Sequence, residues 1–169
     1  MSRPDTVTEA TALMAAEFEV GPMVGILVGS ESDLERIQPA VTELDERVIS
    51  NELRVLSAHR DPGGVAEYCS GAAMRGVRVI IAGAGMSAAL PGVAAAYTDL
   101  PVIGVPLSSS MTAAGGLDAI LSIVQMPPGV PVACVSLDGA KNAAILAARI
   151  LAQGGGYPDA PDRPPAELY

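Results

Sequence analysis

Five short apolar runs, separated by stretches with helical periodicity, most constrain how this chain can fold. The runs are nearly continuous in Val, Ile, Leu and Ala, which is typical of strands buried on both faces of a sheet. Repeated strand–helix units form parallel sheets through right-handed crossovers. We therefore predict an α/β fold with a parallel five-stranded sheet and helices on both faces. The predicted strands are residues 24–28, 53–56, 77–82, 102–105 and 130–135.

Helical patterns follow each predicted strand. Ser32-Asp33-Leu34-Glu35 has a capping-box pattern, and Asp61-Pro62 is typical of a helix start. The 169 residues suffice for one domain with a core, which we assign to residues 23–153 as a single catalytic domain. Residues 1–22 are predicted to be an N-terminal extension, and the Gly- and Pro-rich residues 154–169 a flexible tail. The predicted helices are residues 33–46, 64–74, 88–96, 117–124 and 140–152.

Composition narrows the classes of partner. The net charge is -9, with 10 basic and 19 acidic residues, so nucleic acid and anionic membranes are disfavoured as partners. A small anion still fits, because backbone N–H groups at helix starts bind anions locally. Cys69 and Cys134 are too few for a disulfide framework. We expect two reduced structural thiols in a cytoplasmic protein.

One uncharged stretch, residues 79–98, is long enough to span a bilayer. Gly83, Gly85, Pro91 and Gly92 interrupt it, which favours a strand, a glycine turn and a helix instead. We therefore predict no membrane segment.

The first candidate site segment runs from Gly29 to Asp33, after the first predicted strand. Ligands of such folds bind at the carboxyl ends of the strands. The hydroxyls of Ser30 and Ser32 could bind a phosphate at the helix start, and Asp33 could accept from a sugar hydroxyl. The alternative is a plain turn with a helix cap, since Ser and Asp are common capping residues.

The second segment is Ser57-Ala58-His59-Arg60, and His59 is the only histidine of the chain. An imidazole titrates near neutrality, which suits proton transfer. Arg60 could bind a phosphate or carboxylate through two parallel hydrogen bonds. The alternative is a solvated histidine beside an ion-paired arginine.

The third segment, residues 82–92, is rich in Gly and Ala. Glycines allow close backbone contact, and a loop lined with N–H groups could hold a carboxylate or CO2. The alternative is a turn that needs glycine for sheet–helix packing. The segment lacks the G-x-G-x-x-G order of dinucleotide sites, and without a second histidine we expect no metal and no cofactor.

Taken together and in order, these segments are far more specific than any one alone. The chain resembles the N5-carboxyaminoimidazole ribonucleotide mutase family, also called phosphoribosylaminoimidazole carboxylase catalytic subunit, over residues 23–152. The matching stretches are Gly29-Ser30-x-Ser32-Asp33, Ser57-Ala58-His59-Arg60, Ile80-Ile81-Ala82-Gly83-Ala84-Gly85, Leu90-Pro91-Gly92, Pro101-Val102-Ile103-Gly104-Val105-Pro106, Ser122-Ile123-Val124-Gln125-Met126-Pro127 and Ala140-Lys141-Asn142-Ala143.

The resemblance implies a flavodoxin-like three-layer α/β/α sandwich in a homo-octamer whose neighbouring subunits share active sites. It also implies de novo purine biosynthesis, with carboxylate transfer from N5 to C4 of a 5-aminoimidazole ribonucleotide. CO2 is an intermediate of that transfer, and no metal, biotin or ATP is needed. His59 matches the family's proton shuttle. The positions that match its substrate contacts are Ser30, Ser32, Asp33, Ser57, Ala58, Arg60, Gly83, Gly85, Met86, Ser87, Ala88 and Leu90.

The chain also departs from the family pattern. Ala89 stands where the mutase branch has a second histidine, a feature that favours the branch using free CO2 directly, whereas Arg60 and residues 122–127 favour the mutase. The loop 107–116 is longer than usual and the turn 136–139 shorter. Three alternatives stay open: a direct CO2-dependent carboxylase, a paralogue that carboxylates or decarboxylates another heteroaromatic nucleotide, and a non-catalytic nucleotide-binding protein.

Overall fold

The computed structural model describes residues 21–153. The predicted tail, and the predicted N-terminal extension apart from Gly21 and Pro22, lie outside the described residues. The strands are β1 (Val24–Val28), β2 (Asn51–Val55), β3 (Val79–Gly85), β4 (Val102–Leu107) and β5 (Ala133–Cys134). The helices are α1 (Leu34–Glu46), α2 (Pro62–Ala72), α3 (Leu90–Ala96), α4 (Leu117–Val124) and α5 (Ala140–Gln153).

All strand pairs are parallel, and the five-stranded sheet has the order β2-β1-β3-β4-β5. This order is that of a flavodoxin-like doubly wound sheet, whose strand order reverses between β1 and β3. The predicted α/β fold and the parallel five-stranded sheet are therefore confirmed. The reversal matters for function, because a crevice opens at that point at the carboxyl ends of the strands.

Side chains alternate between the two faces of each central strand, as the pleat requires. Ile26 and Ile81 pack on one face against α1 and α5. Leu27 and Ile80 pack on the other face against α2, α3 and α4. Helices thus cover both faces, which gives the three-layer sandwich and makes β1, β3 and β4 almost wholly buried.

The two edge strands differ from the prediction. β2 is only partly buried, and its Arg54 and Val55 are exposed, because a strand at the edge has a neighbour on one side only. β5 has two residues instead of the predicted six. Pro131 has no N–H for a ladder hydrogen bond, and Val130 N–H donates to the Pro127 carbonyl in a turn at 3.2 Å. β3 is longer than predicted, because residues 83–85 pair with β4.

Two of the three helices that follow the candidate site segments, α2 and α3, begin with a proline in their first turn, where no N–H is needed. Asp61 caps α2 by accepting a hydrogen bond from Gly64 N at 2.9 Å.

Cys69 and Cys134 are free thiols, and burial raises the pKa of Cys69 to about 11. Within residues 21–153, no helix has the length and hydropathy needed to cross a membrane.

Candidate active site

A cleft of about 300 Å³ opens at the carboxyl ends of β1, β2 and β3. All three segments singled out from the sequence meet there, because each follows one of three adjacent strands. We call residues 29–33 and 57–60 the polar wall, and residues 84–90 the apolar wall. The lining residues are Gly29, Ser30, Asp33, Ser57, Ala58, His59, Arg60, Ala84, Gly85, Ser87, Ala89 and Leu90.

On the polar wall, Ser30 organises the turn that leads into α1. Its Oγ accepts hydrogen bonds from the backbone N–H of Ser32 at 3.3 Å and from the hydroxyl of Ser32 at 2.9 Å. Its carbonyl accepts from Asp33 N–H at 3.1 Å. Ser30, and not Ser32 as the capping-box pattern predicts, therefore caps this turn while lining the cleft, so a capping role and a binding role are compatible.

Asp33 contributes the only carboxylate among the residues that line the cleft. Burial raises the pKa of this carboxyl above its usual value. Three effects oppose that rise: the charge of Arg36, the charge of Arg60 and a hydrogen bond from the backbone of Ser30. The two guanidinium groups therefore favour the ionised form of this carboxyl against the effect of burial. An ionised carboxylate at this place can accept hydrogen bonds from two hydroxyls of a sugar.

Arg60 links the two halves of the polar wall. Its Nη2 donates to the Gly29 carbonyl at 2.6 Å, and its Nε donates to Ser57 Oγ at 3.2 Å. These acceptors are neutral, and within residues 21–153 no carboxylate lies within ion-pair distance of Arg60. The guanidinium is therefore fixed in place with its charge available to an anionic ligand, so the predicted alternative of an ion-paired arginine is wrong.

His59 lies in the turn between β2 and α2 with its side chain exposed at the cleft. The turn closes through a hydrogen bond from Asp61 N–H to the Ser57 carbonyl at 2.8 Å. The imidazole makes no hydrogen bond to any described residue, so both ring nitrogens are free to exchange a proton with a ligand. The turn holds its backbone while the side chain stays available.

The apolar wall consists mostly of small residues, and its backbone packs closely against the neighbouring strand β4. A Cβ atom added at Gly85 would lie 2.8 Å from the Leu107 carbonyl oxygen, so only glycine fits there without a backbone shift. Met86 has a φ of 54°, a left-handed conformation that turns the chain from β3 towards α3. Ala89 lines the cleft at the start of α3 and offers no hydrogen-bonding group from its side chain.

The cleft contains most of the predicted site residues, but not Ser32, Gly83, Met86 or Ala88. Gly83 and Ala88 are buried in the core, where Gly83 faces Ile37 and Leu107 instead of the cleft. Ser32 and Met86 are exposed beside the cleft.

Three residues of the cleft, Gly29, Ala84 and Ala89, were not among the predicted contacts. Gly29 takes part through its carbonyl, which no sequence pattern reveals. Within residues 21–153, no group of three His, Cys, Asp or Glu side chains is placed to hold a metal ion.

Comparison with known proteins assigns this geometry to a family. The AIR carboxylase family model matches residues 23–156. The chain belongs to the AIR carboxylase family. It is 56% identical over 130 residues to the N5-carboxyaminoimidazole ribonucleotide mutase of Pyrococcus abyssi, covering 77% of this chain and 74% of that protein. It is 54% identical over 131 residues to the phosphoribosylaminoimidazole carboxylase of Schizosaccharomyces pombe, covering 78% of this chain and 23% of that longer protein.

The architecture agrees with this family. The structure of Treponema denticola PurE superposes with a TM-score of 0.68 at 34% sequence identity, covering 78% of this chain and 81% of that one.

Proposed function

We propose that this chain is an N5-carboxyaminoimidazole ribonucleotide mutase of purine biosynthesis. One observation carries the proposal. The cleft brings together His59, which makes no hydrogen bond to a described residue, Arg60, which has no ion-pair partner within residues 21–153, and the Asp33 carboxylate. A nucleotide needs these groups: an anion site for its phosphate, a carboxylate for its ribose hydroxyls and a proton carrier for its base. The names of the P. abyssi and other mutase relatives support the same reaction.

In the proposed binding mode, the polar wall holds the parts of the substrate that do not react. Arg60 and the hydroxyls of Ser30 and Ser32 bind the phosphate, and Asp33 accepts from the ribose hydroxyls. Ser57 and Ala58 pack beside the nucleotide, with Ser57 also holding the Arg60 side chain. The base then projects towards His59 and the apolar wall.

In the proposed reaction, His59 moves one proton. The bond between N5 and the carboxylate carbon breaks as His59 donates a proton to N5, which releases CO2 and leaves an amine. C4 then forms a bond to CO2, and the neutral His59 takes the proton that C4 loses. The protonation state of His59 is restored, and the net change is transfer of a carboxylate from N5 to C4. Small residues from Ala84 to Leu90 enclose the CO2 between the two steps and keep water away.

A second function, direct carboxylation of aminoimidazole ribonucleotide by free CO2, is favoured by one observation. Ala89 lines the cleft where the mutase branch is expected to have a histidine, so the apolar wall has no imidazole to bind the migrating carboxylate. In that reaction His59 would remove the C4 proton without first donating one to N5.

Product formation by the purified protein distinguishes these functions. We expect freshly made N5-carboxyaminoimidazole ribonucleotide to turn over well above a control with aminoimidazole ribonucleotide and excess bicarbonate. Turnover with bicarbonate alone would identify the direct carboxylase. No C4-carboxylated product from either substrate would reject the purine role, and a His59→Asn sample checks that product comes from this site.

We also propose a cytoplasmic homo-octamer. Leu117, Leu121 and Val124 are exposed on one side of α4, with spacings of four and three residues, and such an apolar stripe favours burial against another subunit. The two free thiols fit a reducing compartment. Light scattering should give the mass of eight chains, and a monomer mass would refute the assembly.

A further inference from the structure

We propose that Arg36 is a positioning residue of this active site, which joins the polar wall to the loop 108–116 through Ser108 and Asp138. The proposal rests on the proposed function, because it assigns Arg36 a role in binding the nucleotide. The three residues come from separate parts of the chain, and none was among the residues predicted to bind substrate.

The first step concerns Ser108 and Asp138, which form a clip between the ends of β4 and the turn before α5. Ser108 donates from its N–H to Asp138 Oδ1 at 2.9 Å and from its hydroxyl to Asp138 Oδ2 at 2.6 Å. Asp138 N–H donates to the Pro106 carbonyl at 2.8 Å. Asp138 has a φ of 54°, in the left-handed region that aspartate adopts more readily than most residues, and these bonds hold that backbone conformation.

The second step concerns Arg36, which lies one turn after Asp33 on α1. Its Nε donates to Ser108 Oγ at 3.4 Å and lies 3.7 Å from Asp138 Oδ1. Its charge also acts on Asp33, where it opposes the effect of burial on the carboxyl. One guanidinium therefore lies between the carboxylate of the cleft and the carboxylate of the clip.

The third step connects the clip to the apolar wall. A Cβ added at Gly85 would lie 3.9 Å from Thr112 Cγ2, which places the loop 108–116 beside that wall. Thr112 is fixed by donating its hydroxyl to the Ser109 carbonyl at 2.7 Å. At the start of the loop, Ser108 bonds to Asp138, whereas Ser109 makes hydrogen bonds within the loop, to Met111 and Thr112. Arg36 thus links Asp33, on which its charge acts, to the clip at the start of the loop that backs Gly85.

The kinetic test compares two substitutions of Arg36. For Arg36→Gln we expect KM for the nucleotide to rise about tenfold, as loss of a charged hydrogen-bonding group predicts, with kcat changed less than twofold. The acid limb of kcat/KM should move to higher pH, because Asp33 loses a cation that keeps it ionised. Arg36→Lys should restore the acid limb, since an ammonium group keeps the charge.

Arg78→Gln is the matched control, because Arg78 is exposed at the amino end of β3, away from the cleft. It should match the wild type in KM and pH profile. Thermal unfolding of each variant shows whether it is folded. An Arg36→Gln enzyme with wild-type KM and an unmoved acid limb would overturn the proposal.

A second readout does not depend on turnover. Hydrogen exchange at the amides of residues 108–112 should speed up several-fold in Arg36→Gln and in Asp138→Asn, which removes the charge yet tolerates a left-handed backbone. Unchanged exchange in both variants would refute the clip even if the enzyme proved inactive towards both purine substrates. A wild type that lacks those activities would refute the proposed function, while faster exchange would still support the clip.

Discussion

The two walls of the cleft are built in opposite ways. The polar wall is held by hydrogen bonds between distant residues, such as Arg60 to the Gly29 carbonyl. The apolar wall has few polar side chains and is shaped by close backbone contact, as between Gly85 and Leu107. The difference suggests a division of labour. Strong polar contacts suit the phosphate and ribose, which are the same before and after reaction, whereas a dry surface of small residues suits the carboxylate that moves.

The largest expected effect is on the polar wall, at the proton carrier. His59→Asn should lower kcat about 10³-fold, within the range that general acid–base catalysis contributes. Because His59 is exposed and makes no hydrogen bond to the described residues, the free energy of unfolding and the nucleotide affinity should change little. Rapid-quench assays measure kcat, and calorimetric titration measures the nucleotide affinity. Unchanged turnover would show that proton transfer does not depend on this residue.

The shape of the apolar wall should have the next largest effect. Gly85→Ala places a methyl group 2.8 Å from a backbone oxygen of β4, so the ends of β3 and β4 must move apart. We expect kcat to fall roughly 10²-fold, the size of loss that a misplacement of about 1 Å can cause. Steady-state kinetics checks this.

Gly63→Ala is the control for Gly85→Ala. Gly63 lies in the first turn of α2, and an added Cβ meets no atom within 4 Å. This variant should keep wild-type kinetics. A Gly85→Ala enzyme that is equally active would contradict the idea that close packing shapes the apolar wall.

A third substitution makes the apolar wall more like the polar one. Ala89→His adds a donor that can hold a carboxylate through a charged hydrogen bond, so turnover of the N5-carboxylated substrate should rise about tenfold relative to turnover with bicarbonate. Competition assays with both substrates measure this ratio. Ala96→His, at the exposed end of the same helix, should leave the ratio unchanged. A ratio that stays constant for Ala89→His would mean that substrate choice is set elsewhere.

The local pattern of apolar residues was enough to predict most strands and helices and the place of the site. The boundaries of β1 and α4 agree with the prediction residue for residue. In β1 the apolar run matches full burial, whereas in α4 the helical periodicity was enough, although Leu117, Leu121 and Val124 are exposed. The three site segments were found because each lies at the end of a predicted apolar strand, and the topology of a parallel sheet brings such places together. The end of β3 was placed too early, because a run of Gly and Ala resembles a turn until its partner strand is known.

The contacts that fix the side chains could not be predicted from the sequence. Arg60 and Gly29 are 31 residues apart, and Arg36 and Ser108 are 72 apart. Such pairs leave no local periodicity, and a backbone carbonyl as acceptor carries no residue identity at all. Gly83 and Ala88 show the converse error. They belong to a segment that forms the cleft, but the pleat of β3 directs Gly83 into the core, and the turn between β3 and α3 directs Ala88 there.

The smallest expected effect is on thermal stability. It comes from the charge of Asp33, which is partly buried in the polar wall. Burial raises the folded-state pKa of Asp33 above its unfolded value of 3.8. The stabilisation associated with protonated Asp33 is therefore complete below pH 3.8 and is lost as the pH rises through the folded-state pKa. Asp33→Asn avoids that loss, so its Tm should exceed that of the wild type by about 2 °C at pH 7 and match it below pH 3.8.

The same variant should raise KM severalfold, because a neutral amide accepts more weakly from ribose hydroxyls than a carboxylate does. Asp99→Asn, which changes an exposed carboxyl outside the cleft, should alter neither quantity. Scanning calorimetry across pH tests the predicted change in Tm, and steady-state kinetics tests the predicted change in KM. A lower Tm at pH 7 would mean that Asp33 stabilises the start of α1 more than its burial disfavours its charge. The polar wall would then stabilise the fold at this residue as well as bind the substrate.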